Sequence, residues 1–242
     1  MAAASSEGAF ARLLQEASVP ELAFLQLEQD SRVQRLLPGE ASRIVSQALS
    51  AGEGAARAAN ADGSVISAPD FIASHGGKLV RVRGQKVSAP GIHLAALTQE
   101  ARDGSIEVTL FEDALEEKTG VLAFFDMRGL AVPDLAALEE LTLWHEAFHV
   151  IDFRQDGKLS AKASTGRTKV LFGTKGCRIG SAAEISAHSF ACTALGGKMM
   201  LDPWRCDALY LAGVGEITEE ELALELQDAR RLMEEGRRDG DL

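Results

Sequence analysis

Cysteine is scarce in this chain, with three in 242 residues at Cys177, Cys192 and Cys206. An odd and small number makes no disulfide framework, and none of the three has a CxxC partner, so no zinc knuckle is expected. Aromatics are 5%, with Tyr210 the sole tyrosine, so the core has to rest on Leu, Ala, Val and Ile. Long apolar runs are missing too. The plainest, Val121 to Phe125, stops at Asp126, short of the roughly 18 residues a membrane helix needs. The opening MAAASSEGAF lacks the basic-then-apolar order of a secretory signal. Basic charge is in deficit, with 25 Lys and Arg against 36 Asp and Glu and a net charge of −11, which excludes a global nucleic-acid face. These absences predict a reduced, cytoplasmic protein with neither nucleic acid nor membrane as partner.

What is present is mostly helical pattern. Ser18 and Glu21 stand at capping-box spacing, and Leu22, Leu25, Gln29, Val33 and Leu36 then fall near one face up to Pro38-Gly39. A second amphipathic stretch runs from Glu40 to Ala51. Residues 52–67, rich in Ala, Gly and Ser, read as a linker, which divides the chain into an N-terminal helical region (1–60) and a larger domain (61–242). Beyond it, KLVRVR (78–83) alternates as a strand does, and His93 to Gln99 and Ser105 to Phe111 flank a hairpin turn at Asp103-Gly104. Glu112 to Arg128 suits a helix ended by Gly129.

Asp134 to Phe153 is the clearest helix, with Leu138, Leu141, Phe148 and Ile151 on its apolar side. Residues 157–181 then break pattern, with five glycines, six Lys or Arg and no acid, and read as a lid, a recognition surface for an acidic partner, or a solvated loop. Ser181 to Met200 resumes as helix. Thr218 and Glu221 open a last one, striped by Leu222, Leu226, Ala229 and Met233.

The chemistry lies at His145-Glu146-Ala147-Phe148-His149, an HExxH on the clearest helix. Histidines four apart share one helical face, so both imidazoles reach one metal ion, while Glu146 is turned aside and placed as general base toward a water. A catalytic zinc takes a third protein ligand, and only His75, His93 and His188 remain among the histidines. Glu184 and His188, four apart on the next helix, are placed for such a role. Small residues at Ala183, Ala187 and Ala191 let two helices approach closely.

HEAFH followed by E-x-x-A-x-x-F-A (Glu184, Ala187, Phe190, Ala191) resembles the ImmA/IrrE family of zinc metallopeptidases. The PDFIA segment (69–73) before Gly76-Gly77, the strand-like KLVRV and the strand Ile106 to Leu110 add to the resemblance, which spans roughly residues 65–200. It implies a zincin-like α+β fold, mostly helical, with a small antiparallel or mixed sheet packed on the HExxH helix. It implies one Zn2+ per chain on His145, His149 and Glu184, with Glu146 as base. A peptide or protein substrate would lie alongside Ile106 to Leu110 by β-addition.

Three roles stay open for His188: a donor to the transition-state oxyanion, a third ligand with Glu184 behind it, or a core histidine. Arg178 is a second candidate donor, and Asp152 a candidate to orient an imidazole. Cys192 reads as a buried thiol, and His75 and His93 as surface or turn residues. Two functions from different classes follow, a metallopeptidase and a catalytically silent, metal-stabilised regulatory or binding module.

Overall fold

The computed structural model describes residues 3–60, 66–84, 88–89, 92–127, 129–156, 158–161, 163–170, 173–196 and 201–240. The fold is α+β and mostly helical. Helices α1 (Ala3–Glu16), α2 (Val19–Glu28) and α3 (Glu40–Ala59) come first. Helix α4 (Ala68–Ser74) leads into β1 (Gly77–Val82), followed by β2 (Ser88–Ala89), β3 (Ile92–His93), β4 (Ala96–Glu100) and β5 (Ile106–Phe111). Then come α5 (Glu112–Asp126), α6 (Leu135–Arg154), α7 (Lys158–Ala161), β6 (Thr165–Val170), β7 (Gly173–Arg178), α8 (Ser181–Ala194), α9 (Pro203–Gly213) and α10 (Glu219–Gly240). Among the described residues no helix is long and apolar enough to cross a membrane.

The main sheet is small and mixed, in the order β1-β5-β4, with β1 parallel and β4 antiparallel to β5. The β4–β5 turn is the expected one: Gly104 takes a positive φ of 78°, and Asp103 Oδ1 accepts the Ser105 backbone N–H at 3.0 Å. The alternation in β5 buries Ile106, Val108 and Leu110 while Glu107 faces solvent. Because β5 is bonded on both sides, it has no free edge for a substrate. Among the described residues the open edges are those of β1 and β4, and this corrects the expectation of pairing along Ile106 to Leu110.

Other expectations are corrected as well. The α2 pattern does not continue to Leu36: the helix ends at Glu28, and Val33–Arg35 is a separate 3-10 turn. The expected linker is, up to Ala59, the continuation of α3, since its alanines favour helix over coil. Its Gly52 has a packing role: a Cβ there would run into the Ser186 carbonyl oxygen and the backbone of Phe190 on α8. Ser189 Oγ, also on α8, donates to the Leu49 carbonyl at 2.7 Å. So α3 and α8 lie nearly backbone to backbone, within one core that runs from Phe10 and Phe24 to Phe148, Phe190 and Leu226. Helix α8 itself stops at Ala194, and residues 197–200, expected to be helical, lie outside the described residues.

The glycine-rich basic stretch is an antiparallel hairpin, β6–β7, preceded by α7. Thr165, Thr168 and Thr174 supply β-favouring side chains. The buried Glu40 carboxylate pins the hairpin to α3, taking the Arg167 guanidinium at 2.7 Å and the Arg167 backbone N–H at 3.2 Å. The Leu37 N–H adds a bond to the Arg167 carbonyl at 2.9 Å.

Candidate metal centre

Helix α6 starts at an Asp134 N-cap, whose carboxylate accepts the Ala137 N–H at 2.8 Å, and it is buried along most of its length. Helix α8 lies against it, and Phe148 and Phe190 meet between the two with ring centroids 5.8 Å apart. This packing brings three side chains to one point. His145 Nε2 lies 3.2 Å from His149 Nε2 and 3.2 Å from Glu184 Oε2, and His149 Nε2 lies 3.5 Å from Glu184 Oε1. The two imidazoles are mostly buried, whereas Glu184 is half exposed to the cleft.

The set can be tested against zinc. A tetrahedral ion with donors at about 2.1 Å holds those donors about 3.4 Å from one another. His145 Nε2 stands near that distance from both His149 Nε2 and Glu184 Oε2, at 3.2 Å each, while the other carboxylate oxygen, Oε1, lies 3.5 Å from His149 Nε2, so the carboxylate spans the two imidazoles. Two nitrogens and one carboxylate oxygen also form a donor set that suits zinc while leaving a fourth position for water. Without an ion, the same atoms satisfy one another by ion pairing. Burial alone lowers the His149 pKa, but the Glu184 carboxylate overrides it and lifts His149 to about 9. Burial likewise works to raise Glu184, and the His149 charge wins, holding the carboxyl well below the usual range.

These residues line a cleft of about 450 Å³ together with Glu146, His188, Leu94, Ala96, Leu97 and Thr98. Glu146 is buried and turned toward β4, where the Thr98 hydroxyl donates to its Oε2 at 2.6 Å. Among the described residues Oε1 has no hydrogen-bond partner. Thr98 thus fixes the rotamer of the candidate base and sits on the one strand edge the cleft exposes.

His188 stands apart from the three converging donors. Its ring meets His145 edge-on at 4.7 Å, and its Nε2 lies 3.2 Å from Asp207 Oδ2 on α9. Its Nδ1 is buried without a partner. Asp207 is in turn paired with Lys118 of α5. Burial works to raise Asp207 and to lower Lys118, but their mutual attraction prevails, so Asp207 falls below and Lys118 rises above its ordinary value. Burial lowers His188.

The remaining candidates lie elsewhere. Asp152 is buried and engaged by Ser160, whose N–H and hydroxyl donate at 3.1 and 2.7 Å. Arg178 is exposed on β7 and does not line the cleft. Cys192 is half-buried and Cys206 buried, and burial pushes both thiols up to about 12. His75 lies at the end of α4, away from the cleft. His93 is exposed, as expected, and also lines the cleft, where it bonds Tyr210 Oη at 3.2 Å and Glu216 Oε1 at 2.9 Å.

Sequence reasoning missed Thr98, Lys118 and Asp207. No local pattern marks them, and Lys118 and Asp207 are brought together across 89 residues by helix packing alone. Comparison with known proteins found no matching family model, no matching curated sequence and no matching solved structure.

Proposed function

We propose that this chain is a zinc-dependent metallopeptidase of the ImmA/IrrE type, with zincin-like packing of α6, α8 and the small sheet. In this reading His145, His149 and Glu184 hold one zinc ion. The observation that carries it is the gathering of two imidazole nitrogens and a carboxylate close enough to share one ion, one residue away from a buried glutamate in the same cleft. Bound zinc would supply Lewis acidity, lowering the pKa of a water toward 7 and polarising a peptide carbonyl.

The chain's own groups supply the rest. Glu146 accepts the proton of the attacking water on the oxygen that Thr98 leaves free, then passes it to the departing amine. The edge of β4 offers backbone N–H and C=O groups at the cleft wall, so an extended peptide lies along Ala96 to Thr98 by strand addition. Asp207, itself held by Lys118, fixes the His188 ring against His145. His188 in this reading steadies the metal-binding wall, and with Nε2 held by Asp207 and Nδ1 buried it is a positioning residue, so the oxyanion-donor role expected from sequence is not proposed.

Glu146→Gln separates enzyme from binding module, because it keeps size and most hydrogen bonding while removing basicity. The variant is expected to fold and to bind zinc as the wild type does, and to lose at least about 100-fold in peptide hydrolysis. Cleavage is to be scored against generic peptides and against candidate partner proteins. Identical behaviour of Glu146→Gln and wild type against all of them refutes the peptidase and leaves a metal-stabilised binding module.

A further inference from the structure

Beside the cleft, a second groove of about 620 Å³ runs between α2, α9 and the start of α10. The two share Gln26, Gln29 and Asp207 as lining residues, so the groove adjoins the cleft of the metal centre. The groove alone has the volume of a drug-sized ligand site, enough for a few side chains of a polypeptide.

The floor of the groove is apolar, with Leu25, Leu211 and Ile217 half-buried. Its rim is acidic, and no lysine or arginine lines it among the described residues. Two rim acids are engaged within the chain, Glu216 by His93 and Glu221 by the Thr218 cap. Glu28 on α2 and Glu225 on α10 have no cationic partner among the described residues. Burial and the Glu225 and Asp228 charges raise the Glu28 pKa, and burial and Glu221 raise that of Glu225.

On these same two helices Glu21 has a cation of its own, Arg230 at 2.7 Å. Glu28 and Glu225 are exposed on the rim, so they give the groove a negative potential that no cation of the described residues lining it offsets. A cation brought by a partner is drawn to it.

We propose that this groove is an exosite for a segment of the polypeptide substrate in which basic side chains alternate with apolar ones, the basic groups meeting Glu28 and Glu225 and the apolar ones covering Leu25, Leu211 and Ile217. This deepens the peptidase reading and rests on it for what the bound segment is for, though not for the binding itself.

The test uses the zinc-loaded full chain carrying Glu146→Gln, so that no peptide is consumed, and three fluorescent probes: short acetylated peptides alternating Leu with Lys, Gly with Lys, and Leu with Glu. The Leu–Lys peptide is expected to bind and the other two to bind at least about tenfold more weakly. Adding Glu28→Gln with Glu225→Gln weakens Leu–Lys binding about tenfold, whereas Glu53→Gln with Asp126→Asn, an equal loss of charge outside the groove, changes it by less than about twofold. Ala208→Trp, which fills the groove without altering charge, weakens it as well. Equal effects of the two charge-neutralising pairs, equal binding of the Gly–Lys peptide, or no binding of the Leu–Lys peptide overturns the proposal. Because the readout is binding, its failure leaves the hydrolysis comparison of Glu146→Gln with wild type untouched, and the converse also holds.

Discussion

Thr98→Val tests whether the candidate base is held by design. Valine keeps the shape of threonine and deletes one hydroxyl. That hydroxyl makes a 2.6 Å hydrogen bond to Glu146 Oε2, with both residues buried. A bond of this kind to a charged group contributes about 1.5–3 kcal/mol, and its loss leaves a buried carboxylate oxygen without a donor. We therefore expect a stability loss of about 2 kcal/mol, which for a chain of this length lowers Tm by about 4–8 °C. Zinc content should not change, because none of the three donors is touched. Turnover should fall by about 10- to 100-fold, since a freed Glu146 samples rotamers that point away from the water. Thr98→Ser, which keeps the hydroxyl, should recover most of the turnover. Thermal unfolding, metal analysis and hydrolysis assays on the three proteins decide the matter. A valine variant within about 0.5 kcal/mol of wild type with full turnover refutes the reasoning, as does a serine variant no better than valine.

Further expectations concern the metal, the buried charges and the helix contact. His149→Ala should lower zinc affinity by orders of magnitude by metal analysis, and chelating the wild type should lower its Tm, since the proposed ion would tie α6 to α8. Asp207→Asn should be less stable than wild type at pH 7. The Asp207 carboxyl lies below its ordinary value in the fold, so its contribution is complete above about pH 4 and is lost as pH falls, and the gap to wild type should close on acidification. In α3, Gly52→Ala should cost about 2–3 kcal/mol by denaturant titration because α8 has to move, whereas Gly54→Ala, with open space around it, should stabilise by about 0.5–1 kcal/mol.

Local signals survived best in the passage from sequence to structure. Capping boxes at Ser18 and Thr218, the Asp103-Gly104 turn and the HExxH helix each depend on residues within a few positions of one another, and each is present. The gathering of His145, His149 and Glu184 was legible because two of them share a helix and the third lies on the next long one. What could not be read depends on distant partners. The hairpin at 165–178 is tethered by Glu40, on a helix more than 120 positions earlier, so its own composition suggested only a loop. The α3 extension was hidden because its glycine looks like a linker residue until α8 is laid against it. Strand order was likewise invisible: Ile106 to Leu110 has the strongest pattern because it is interior, which is the same reason it offers no edge to a substrate.

The close seat of α8 on α3 has a consequence for how the chain matures. The Ser189–Leu49 bond joins residues 140 positions apart, so on a ribosome α3 is made long before the helix that covers it. During that interval its apolar stripe of Ile44, Val45 and Ala48 is without its final neighbour, a state that attracts chaperones or other nascent chains. Glu184 reaches its place only when α8 docks. A zinc ion held as proposed would therefore act late in biogenesis, as a lock on an assembled molecule rather than as a nucleus for its assembly, and refolding from denaturant should show metal uptake trailing the recovery of helix.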